Sequence, residues 1–372
     1  MGYVLISFLS WLILRFLVLR RLPCGRPART VLSCLFFLPI LYYAYLQASC
    51  FIVLPEPSFG TAILMGAWCG TVLIAAPPAS AGVLCLMRFG RKKSMRRVGA
   101  CLIFSLFFSS VLVLCGLREG LSVPSVQEVS VNLPAGCDAL DGIRMAVISD
   151  LHLGCATPPG WLEETLRRIK EARADIILLD GDLSDGRPED RRSDLARLGT
   201  LEAPFGVWAV PGNHEYYVDY AGIMAALPDS VHVLANSHAR LRTSLGTFVL
   251  AGVTDRKARA RGLPGPDIEK ALSGLSGDGA IGPVLLMSHR PAGWSRNAAR
   301  GVVLQICGHT HGGQFIWNRL FLRLIGRRYL HGLFERNSSL LWVGSGASQW
   351  FGFPLRVGVP PEIAVLNLHA GS

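Results

Sequence analysis

The chain changes near residue 120 from long apolar stretches to short ones that alternate with polar segments. Each of the long stretches approaches the ~20 residues that a helix needs to cross ~30 Å of hydrocarbon. No polar face interrupts them, so the pattern predicts membrane spans rather than a buried helical core. There are four such stretches, Tyr3–Leu19, Val31–Leu54, Thr61–Met87 and Val98–Leu117.

Two of the four predicted spans leave alternatives open. The first contains Arg15, which would have to snorkel from near a helix end, and a signal peptide is the competing interpretation. It lacks a positive region before its apolar run, which disfavours a signal peptide. The third contains Pro77 and Pro78, so we expect a kinked span or a short span with an interfacial tail.

The loops between the predicted spans indicate their orientation. The first and third loops, RRLPCGRPAR and RFGRKKSMRR, are strongly basic, whereas PEPSFG carries no Lys or Arg. The positive-inside rule then puts both basic loops in the cytoplasm. We therefore expect a multi-pass membrane protein in which residues 1–120 form a transmembrane region of about four helices and residues 121–372 form an extracytoplasmic domain.

After residue 140 the pattern predicts alternating strands and helices. RMAVIS, DIILLD, GVWAVP, VLLMS and VVLQIC have the length and β-branched content of buried strands. The segment between the first two predicts a helix, because Leu162, Leu166 and Ile169 share one face. Alternation of this kind indicates an α/β fold with a largely parallel sheet. TFVLAGV, LLWVG and IAVLNL predict further strands and make a second sheet plausible.

A polar cluster follows each of the five buried strands. In open α/β sheets, sites assemble beyond the carboxyl ends of the strands, so five clusters in these places indicate one site. The clusters contain Asp150 and His152, Asp182 and Asp185, Asn213, His214 and Glu215, His289, and His309 and His311.

Carboxylate, amide and imidazole groups suit divalent ions such as Mn, Fe or Zn. If the segments are extended, Asp150 with His152, and His309 with His311, can each direct a pair of ligands to one point. The absence of cysteine argues against a closed structural zinc site. Seven candidate ligands are too many for one catalytic ion and suit two ions that share a bridging carboxylate. Nearby glycines would allow close approach of the backbone to the ions or the substrate: Gly181, Gly212, Gly308, Gly312 and Gly313.

A single histidine at a strand end is more often an ordinary residue than a metal ligand. The prediction of a metal site therefore depends on the five clusters taken together. Turn-capping or ligand-supporting roles are expected for Asp180 and Asp185. Arg290 could meet a phosphate or be an ordinary exposed arginine. Four histidines have no such setting and are expected to lie outside the site: His232, His238, His331 and His369.

The ordered motifs DLH, GDLSD, GNHE, SHRP and GHTHGGQ resemble those of the calcineurin-like metallophosphoesterase superfamily. GHTHGGQ with the later GVPPEIAVLNL is similar to its bacterial membrane-associated branch. The resemblance runs from Asp150 to about Leu368. It implies a four-layer α/β sandwich of two mixed β-sheets flanked by helices, here preceded by the all-helical transmembrane region.

The resemblance also implies a role for each site residue. One divalent metal ion would be held by Asp150, His152 and His311, and the other by Asn213, His289 and His309, with Asp182 bridging. Hydroxide generated on the metals would attack phosphorus, and His214 would protonate the leaving group as general acid. A carboxylate, which Glu215 could supply, would orient His214.

Charge disfavours a nucleic-acid partner. Eleven of the 37 basic residues, but only one of the 26 acidic residues, precede residue 118. The net charge of +11 therefore belongs almost wholly to the predicted membrane part. The remainder of the chain carries no excess of basic residues that would bind a polyanion. Seven of the ten cysteines also precede residue 118, and the other three have neither disulfide nor metal spacing.

Membrane anchoring favours a phosphoester substrate that is lipid-linked or belongs to the cell envelope. The segment 315–334 places Trp317, Leu320, Phe321 and Leu324 near one helical face among arginines. It could be an interfacial segment that holds anionic lipid, or a packed helix that covers the sheet edge. The alternatives for the whole chain are a cytoplasm-facing nucleotide-sugar-lipid pyrophosphohydrolase and a non-catalytic metal-binding scaffold or sensor.

Overall fold

The computed structural model describes residues 2–49, 56–89, 95–275, 282–336 and 338–371. The chain forms two compact units. We call them the helical unit, Met1–Glu119 with Gly352–Val357, and the sheet unit, Gly120–Phe351 with Gly358–Ser372. Nothing in the amino-acid pattern indicates that a short segment from near the C-terminus packs with the N-terminal helices.

The described part of the helical unit contains four α-helices, which are α1 Gly2–Ile13, α2 Arg26–Ala48, α3 Phe59–Phe89 and α4 Met95–Gly120. Within the described residues, three helices are long and apolar enough to cross a membrane: Arg26–Ala48, Phe59–Arg88 and Arg97–Gly120.

The first predicted span departs from regular α-helix, whereas the third is one continuous α-helix. After α1, the backbone of the first stretch changes to a π-helix over Leu14–Val18 and a 3₁₀ turn over Leu19–Arg21. The helix α3 runs without a break through Pro77 and Pro78, so no interfacial tail separates from it. The predicted end of the second span, Leu54, lies outside the described residues.

The late segment of the helical unit contacts α2 and α4. The ring of Phe353 packs edge-on against Tyr43, with centroids 5.5 Å apart. The backbone N–H of Arg356 donates to the carbonyl of Gly116 at 3.0 Å, and the Arg356 side chain is fully buried. This segment is therefore part of the packing of the helical unit.

Two six-stranded sheets form from the residues of the sheet unit that the structure describes. The first has the order β1-β12-β2-β3-β4-β5, and the second has the order β10-β11-β9-β8-β7-β6. Both sheets are mixed, because β12 is antiparallel to β2, β10 to β11 and β6 to β7, whereas the other neighbours are parallel. The strands are β1 Ser125–Ala135, β2 Arg144–Ile148, β3 Ile176–Asp180, β4 Val207–Val210, β5 Val231–Val233, β6 Ser237–Thr243, β7 Gly246–Gly252, β8 Val284–Met287, β9 Val302–Cys307, β10 Gly332–Arg336, β11 Ser339–Val343 and β12 Glu362–Gly371.

All eight predicted strand segments are confirmed, whereas β1, β5, β6 and β10 were not predicted. The missed strands carry many half-exposed or polar residues, such as SVQEVSVNLPA in β1. Three of them, β1, β6 and β10, pair with β12, β7 and β11, which the apolar pattern identifies. An edge strand needs only one buried face, so its hydrophobic signal is weak.

Alternation of side chains along β3 explains how the layers stack. Ile177 and Leu179 pack toward the helix that follows β2, together with its Trp161 and Leu166. Ile176, by contrast, belongs to the core between the two sheets. The predicted four-layer architecture is thus confirmed, with helices on the outer faces: α5 Trp161–Glu171, α6 Pro188–Ala196, α7 Tyr220–Ala225, α8 Ile268–Ala271 and α9 Trp294–Ala298. A further helix of the sheet unit, α10 Ile316–Leu324, has no buried residue.

Candidate metal centre

The loops after β2 and β3 are joined by backbone hydrogen bonds beyond the strands themselves. The N–H of Asp150 donates to the carbonyl of Gly181, and that of His152 donates to the carbonyl of Asp182, both at 3.0 Å. The loop after β9 joins them, because the N–H of His309 donates to Oδ2 of Asp150 at 3.0 Å. Three of the five polar clusters are therefore tied together by main-chain contacts.

The predicted extended geometry of these loops is wrong. Five of the seven predicted ligands have positive φ, which is the left-handed region that non-glycine residues seldom adopt. His309 and His311 do not direct their ligand atoms to one point. The ligand atom of His311 lies beside those of Asp150 and His152, and the ligand atom of His309 lies beside those of Asp182 and His289. Such strain persists where the surrounding structure fixes it, as at functional sites. The φ angles are 57° at Asp150, 42° at His152, 50° at Asp182, 67° at His309 and 47° at His311.

The first group comprises Asp150, His152 and His311, which the resemblance assigns to one ion. Nε2 of His311 lies 3.2 Å from Oδ1 of Asp150 and 3.3 Å from Nε2 of His152. All three side chains are buried. The three atoms thus face one small volume, and the donor set is one oxygen and two nitrogens.

The second group comprises Asp182, His289 and His309. Nε2 of His289 lies 3.1 Å from Oδ2 of Asp182. On the other side of its ring, Nδ1 donates to the carbonyl of Asp180 at 2.6 Å, which fixes the tautomer and directs the lone pair of Nε2 toward the group. Asp180 thus orients a predicted ligand through its backbone.

Asp182 lies between the two groups. Its Oδ2 is 3.1 Å from Nε2 of His289 in the second group and 3.8 Å from Nε2 of His152 in the first. Nε2 of His289 is in turn 4.0 Å from Oδ1 of Asp150. A carboxylate in this position can reach both sets of ligand atoms, as a bridging ligand must.

Asn213 contacts the cluster through Arg290. The guanidinium of Arg290 donates to Oδ1 of Asn213 at 2.7 Å and also hydrogen-bonds Nε2 of His309. It is anchored from behind by the buried carboxylate of Asp255. Arg290 therefore lies at two of the predicted ligands of the second ion, which an ordinary exposed arginine would not do.

His214 is oriented by Asp185 rather than by Glu215. Nδ1 of His214 hydrogen-bonds the Asp185 carboxylate, while Nε2 lies 3.9 Å from Oδ2 of Asp182 and so faces the cluster. Oδ2 of Asp185 also lies 3.2 Å from Nδ1 of His152. Asp185 thus supports a predicted ligand and the predicted acid at once.

The Glu215 carboxylate has a structural role instead. It is fully buried and accepts the backbone N–H groups of Asp182 at 3.1 Å, Leu183 at 2.7 Å and Gly212 at 2.7 Å. The expectation that Glu215 orients His214 is therefore wrong, because its oxygens are committed to the loops after β3 and β4.

Opposite charges set the ionisation of the cluster. Burial opposes charge on Asp150, but the positive charge of His311 and a hydrogen bond to it outweigh burial and hold the pKa of Asp150 well below its ordinary value. Burial likewise opposes charge on His152, yet Asp185 raises the pKa of His152 to about 9. Burial and the neighbouring Arg290 cation both lower the pKa of His309.

The donor chemistry fits two divalent cations. Nδ1 of His309 is buried and has no hydrogen-bond partner within the described ranges. A buried polar atom without a partner is costly, whereas a nitrogen that binds a metal needs no other partner. Carboxylate oxygens with imidazole nitrogens suit Mn, Fe or Zn.

The glycines beside the motifs make room for the ligands themselves. A Cβ at Gly308 would lie 2.5 Å from Oδ2 of Asp150, and one at Gly212 would lie 2.2 Å from Oδ1 of Asp182. A Cβ at Gly181 would lie 2.7 Å from Nδ1 of His289. Close packing of loop against loop, rather than approach to a substrate, explains these three glycines.

Asp255 was missed, although the signal that identified the other clusters applies to it. It follows β7, which is parallel to β8, so it lies at the same edge of the second sheet.

The four histidines expected outside the site do not join the ligand groups, and two have other partners: His238 bonds the carbonyl of Ala271, and His331 bonds Glu362.

Comparison with known proteins agrees with this fold. Residues 143–313 match the family described as calcineurin-like phosphoesterase. An uncharacterized metallophosphoesterase of Helicobacter pylori (strain ATCC 700392 / 26695) is 34% identical over 257 residues, covering 68% of this chain and 66% of that protein. A transmembrane protein with metallophosphoesterase domain of Danio rerio is 28% identical over 275 residues, covering 72% and 62%.

An uncharacterized metallophosphoesterase of Aquifex aeolicus is 28% identical over 244 residues, covering 63% of this chain and 87% of that protein. The match thus spans about two thirds of the Helicobacter relative and somewhat less of the Danio protein. Two mixed sheets, a cluster of carboxylates and imidazoles that could hold metal ions, and the match to this family together identify a metal-dependent phosphoesterase. The chain belongs to the calcineurin-like phosphoesterase family, whose members are hydrolases of this class.

Proposed function

We propose that this protein is a membrane-anchored phosphohydrolase that uses two divalent cations to cleave phosphoester bonds, with lipid-linked or cell-envelope substrates. The observation that carries the proposal is the position of Asp182 between two groups of buried ligand atoms. A single structural ion would need only one group. Family membership supports the reaction class, and the apolar helices support the membrane location.

In this proposal Asp150, His152 and His311 hold one cation. Asn213, His289 and His309 hold the other, and Asp182 bridges the two. Asn213 would bind through its Oδ1, for which the guanidinium of Arg290 would compete with the cation. The two cations would neutralise phosphoryl charge and lower the pKa of water from 15.7 to around 7.

His214 supplies the proton for the leaving alkoxide. Its Nδ1 is held by Asp185, so its Nε2 carries the transferable proton on the side that faces the cluster. The Asp185 carboxylate stabilises the imidazolium before transfer, as an orienting carboxylate does in other acid–base pairs. A positioned acid of this kind contributes typically about 10²–10⁴-fold to the rate.

Arg290 binds a non-bridging phosphoryl oxygen. Its anchor, Asp255, keeps the guanidinium at the edge of the cluster when the cations bind Asn213 and His309. A planar guanidinium suits a phosphate, because it can donate two parallel hydrogen bonds. We therefore assign Arg290 to substrate binding.

The basic loops favour an extracytoplasmic sheet unit. Lys and Arg are concentrated in residues 20–29, up to the first turn of α2, and in residues 88–97, from the end of α3 to the first turn of α4. If both segments are cytoplasmic, α2 runs outward, α3 inward and α4 outward. This orientation does not depend on whether α1 crosses the membrane. A reporter fused after Ser372 that is active only in the cytoplasm would contradict it and favour the cytoplasm-facing alternative.

The activity test uses detergent-purified full-length protein with bis(p-nitrophenyl) phosphate and Mn²⁺. We expect Mn²⁺-dependent release of p-nitrophenolate and two metal ions per chain by elemental analysis. In Asp182→Asn we expect both the activity and the bound metal ions to be lost. His238→Gln changes a histidine outside the cluster and should behave as wild type. Two bound ions without turnover would instead support the metal-binding scaffold.

A further inference from the structure

The helix α10, Ile316–Leu324, exposes its apolar side chains. It has an amphipathic pattern, yet none of its residues is buried. A helix that covered the sheet edge would bury this face, so that interpretation of the segment is wrong. The exposed fractions are 43% for Ile316, 42% for Trp317, 55% for Leu320, 54% for Phe321, 86% for Leu324 and 58% for the adjacent Ile325.

The polar side of α10 is fastened to the loop that carries two predicted metal ligands. Nε of Arg319 donates to the carbonyl of Gly312 at 2.7 Å, and Nδ2 of Asn318 donates to that of Gly313 at 2.8 Å. Both acceptors follow His311 directly in the chain. The apolar face is therefore held in a fixed position relative to the metal centre.

Positive charge surrounds the apolar face. Arg323, Arg327 and Arg328 are exposed, and Arg319 is half-buried. The described part of the segment 315–331 contains no acidic residue. Apolar side chains with a tryptophan on one face and arginines beside them are the pattern of a helix that lies in the plane of an anionic membrane surface.

We infer that α10 inserts its apolar face into the surface of a bilayer and so presents the metal centre to phosphoesters carried by lipids. The inference rests on the proposed function and names lipid as its substrate class. We infer contact of α10 with a bilayer rather than with a protein partner, because the same chain has three helices that are apolar and long enough to span a bilayer. The arginines match the charge of anionic headgroups.

The first experiment measures where Trp317 lies. Full-length protein and its Trp317→Phe variant are reconstituted in phosphatidylcholine–phosphatidylglycerol vesicles, with or without bromine on the acyl chains. The difference between the two emission spectra reports Trp317 alone among the eight tryptophans. We expect blue-shifted emission that bromolipids quench. Emission typical of water, quenched by iodide and not by bromolipid, would overturn the inference.

The second experiment compares two substrates with the same reacting bond. They are p-nitrophenyl methyl phosphate in solution and p-nitrophenyl hexadecyl phosphate in the same vesicles. In the triple variant Leu320→Ser, Phe321→Ser, Leu324→Ser, we expect hexadecyl ester turnover to fall about tenfold or more, because burial of apolar side chains contributes in proportion to area. Turnover of the methyl ester should stay within about twofold.

Leu245→Ser is the matched control, because Leu245 is 58% exposed but lies in the turn between β6 and β7. It should change neither rate. Equal rates for the triple variant and wild type on the hexadecyl ester would overturn the role of α10 while leaving the proposed function intact. Absence of Mn²⁺-dependent turnover of the methyl ester by wild type would instead contradict the proposed function itself.

Discussion

Asp185, twenty-nine residues before His214 in the chain, forms the hydrogen bond that orients the His214 ring, although Glu215 is the adjacent carboxylate in the chain. The reason is the direction of the two side chains. Glu215 turns into the protein and accepts three backbone N–H groups, whereas the loop after β3 offers the carboxylate of Asp185 to Nδ1. The acid and its partner therefore come from two adjacent strands of the first sheet.

Replacing His214 should separate chemistry from metal binding. We expect His214→Ala to keep two metal ions per chain but to lose about 10²–10⁴-fold in kcat on alkyl phosphodiesters, which need a protonated leaving group. p-Nitrophenyl esters should lose much less, since their leaving group is stable as an anion. Steady-state kinetics on both substrates with elemental analysis checks this. Equal losses on both would remove His214 from the acid role.

Glu215→Gln should lower the thermal stability of the protein and should leave proton transfer by His214 unchanged. Replacing a carboxylate oxygen with an NH₂ group leaves backbone N–H groups at Asp182, Leu183 or Gly212 without an acceptor. Each buried donor left unsatisfied costs about 1–3 kcal/mol. We expect a lower midpoint of thermal denaturation for the metal-loaded protein. The ratio of alkyl to p-nitrophenyl ester rates should not change.

Glu171→Gln is the control for this change, because Glu171 pairs with Arg167 at an exposed position of α5. Its midpoint should match that of wild type. A Glu215→Gln protein with normal stability but a selective loss of alkyl ester turnover would return Glu215 to the role of orienting carboxylate.

Gly308 is expected to tolerate no side chain. A Cβ there would lie 2.4 Å from Cβ of Ser149 and 2.5 Å from Oδ2 of Asp150, a predicted ligand that also accepts the N–H of His309. Gly308→Ala should therefore displace Asp150 and lower metal occupancy. Gly60→Ala is a suitable control, since a Cβ at Gly60 meets nothing within 4 Å. Full metal content in Gly308→Ala would contradict the observed closeness of these loops.

The sequence predicts the strands of the fold better than it predicts the local geometry of the site. Buried strands such as β3 have every residue inside, so an apolar run identifies them directly. The edge strand β1 alternates exposed and half-buried residues and gives no comparable run. The rule that sites form at the carboxyl ends of parallel strands identified the loops that meet, because it depends on topology alone.

The same rule does not specify how each side chain points. Asp150 and His152 adopt left-handed backbone angles, which only the neighbouring loops impose. The partner of His214 depends on where Glu215 turns, and sequence proximity favoured the wrong carboxylate. The exposure of α10 is likewise a property of the packed structure, because its amphipathic pattern fits both a buried and an interfacial helix.

Removal of metal should destabilise the sheet unit. Any ligand that binds only the folded state stabilises it by mass action, by about 2.7 kcal/mol per site at a concentration 100 times its Kd. We expect a chelator to lower the denaturation midpoint of the full-length protein and Mn²⁺ to restore it. Asp182→Asn, which removes charge from the predicted bridging position, should show little response to either. A chelator without effect on wild type would contradict a metal centre.

Arg290→Ala should raise the affinity for the second metal ion and lower kcat/KM for the substrate. The guanidinium of Arg290 contacts Asn213 and His309, so its removal takes away a cation that competes with the second ion, and the affinity for that ion should rise. Loss of its hydrogen bonds to phosphate should lower kcat/KM about 10- to 100-fold, as expected for charge-assisted bonds worth about 1.5–3 kcal/mol. Titration with Mn²⁺ and steady-state kinetics measure the two effects.

Arg300→Ala removes an exposed arginine that pairs with Glu269 away from the cluster, and it should alter neither quantity. Asp255→Asn tests the anchor, because Arg290 without its buried carboxylate partner is free to stay on Asn213 and His309. We therefore expect Asp255→Asn to weaken binding of the second ion, the opposite of Arg290→Ala, although both variants lose turnover. If the two variants shift metal affinity in the same direction, Arg290 does not compete for the second position and its assignment to the substrate phosphate loses its support.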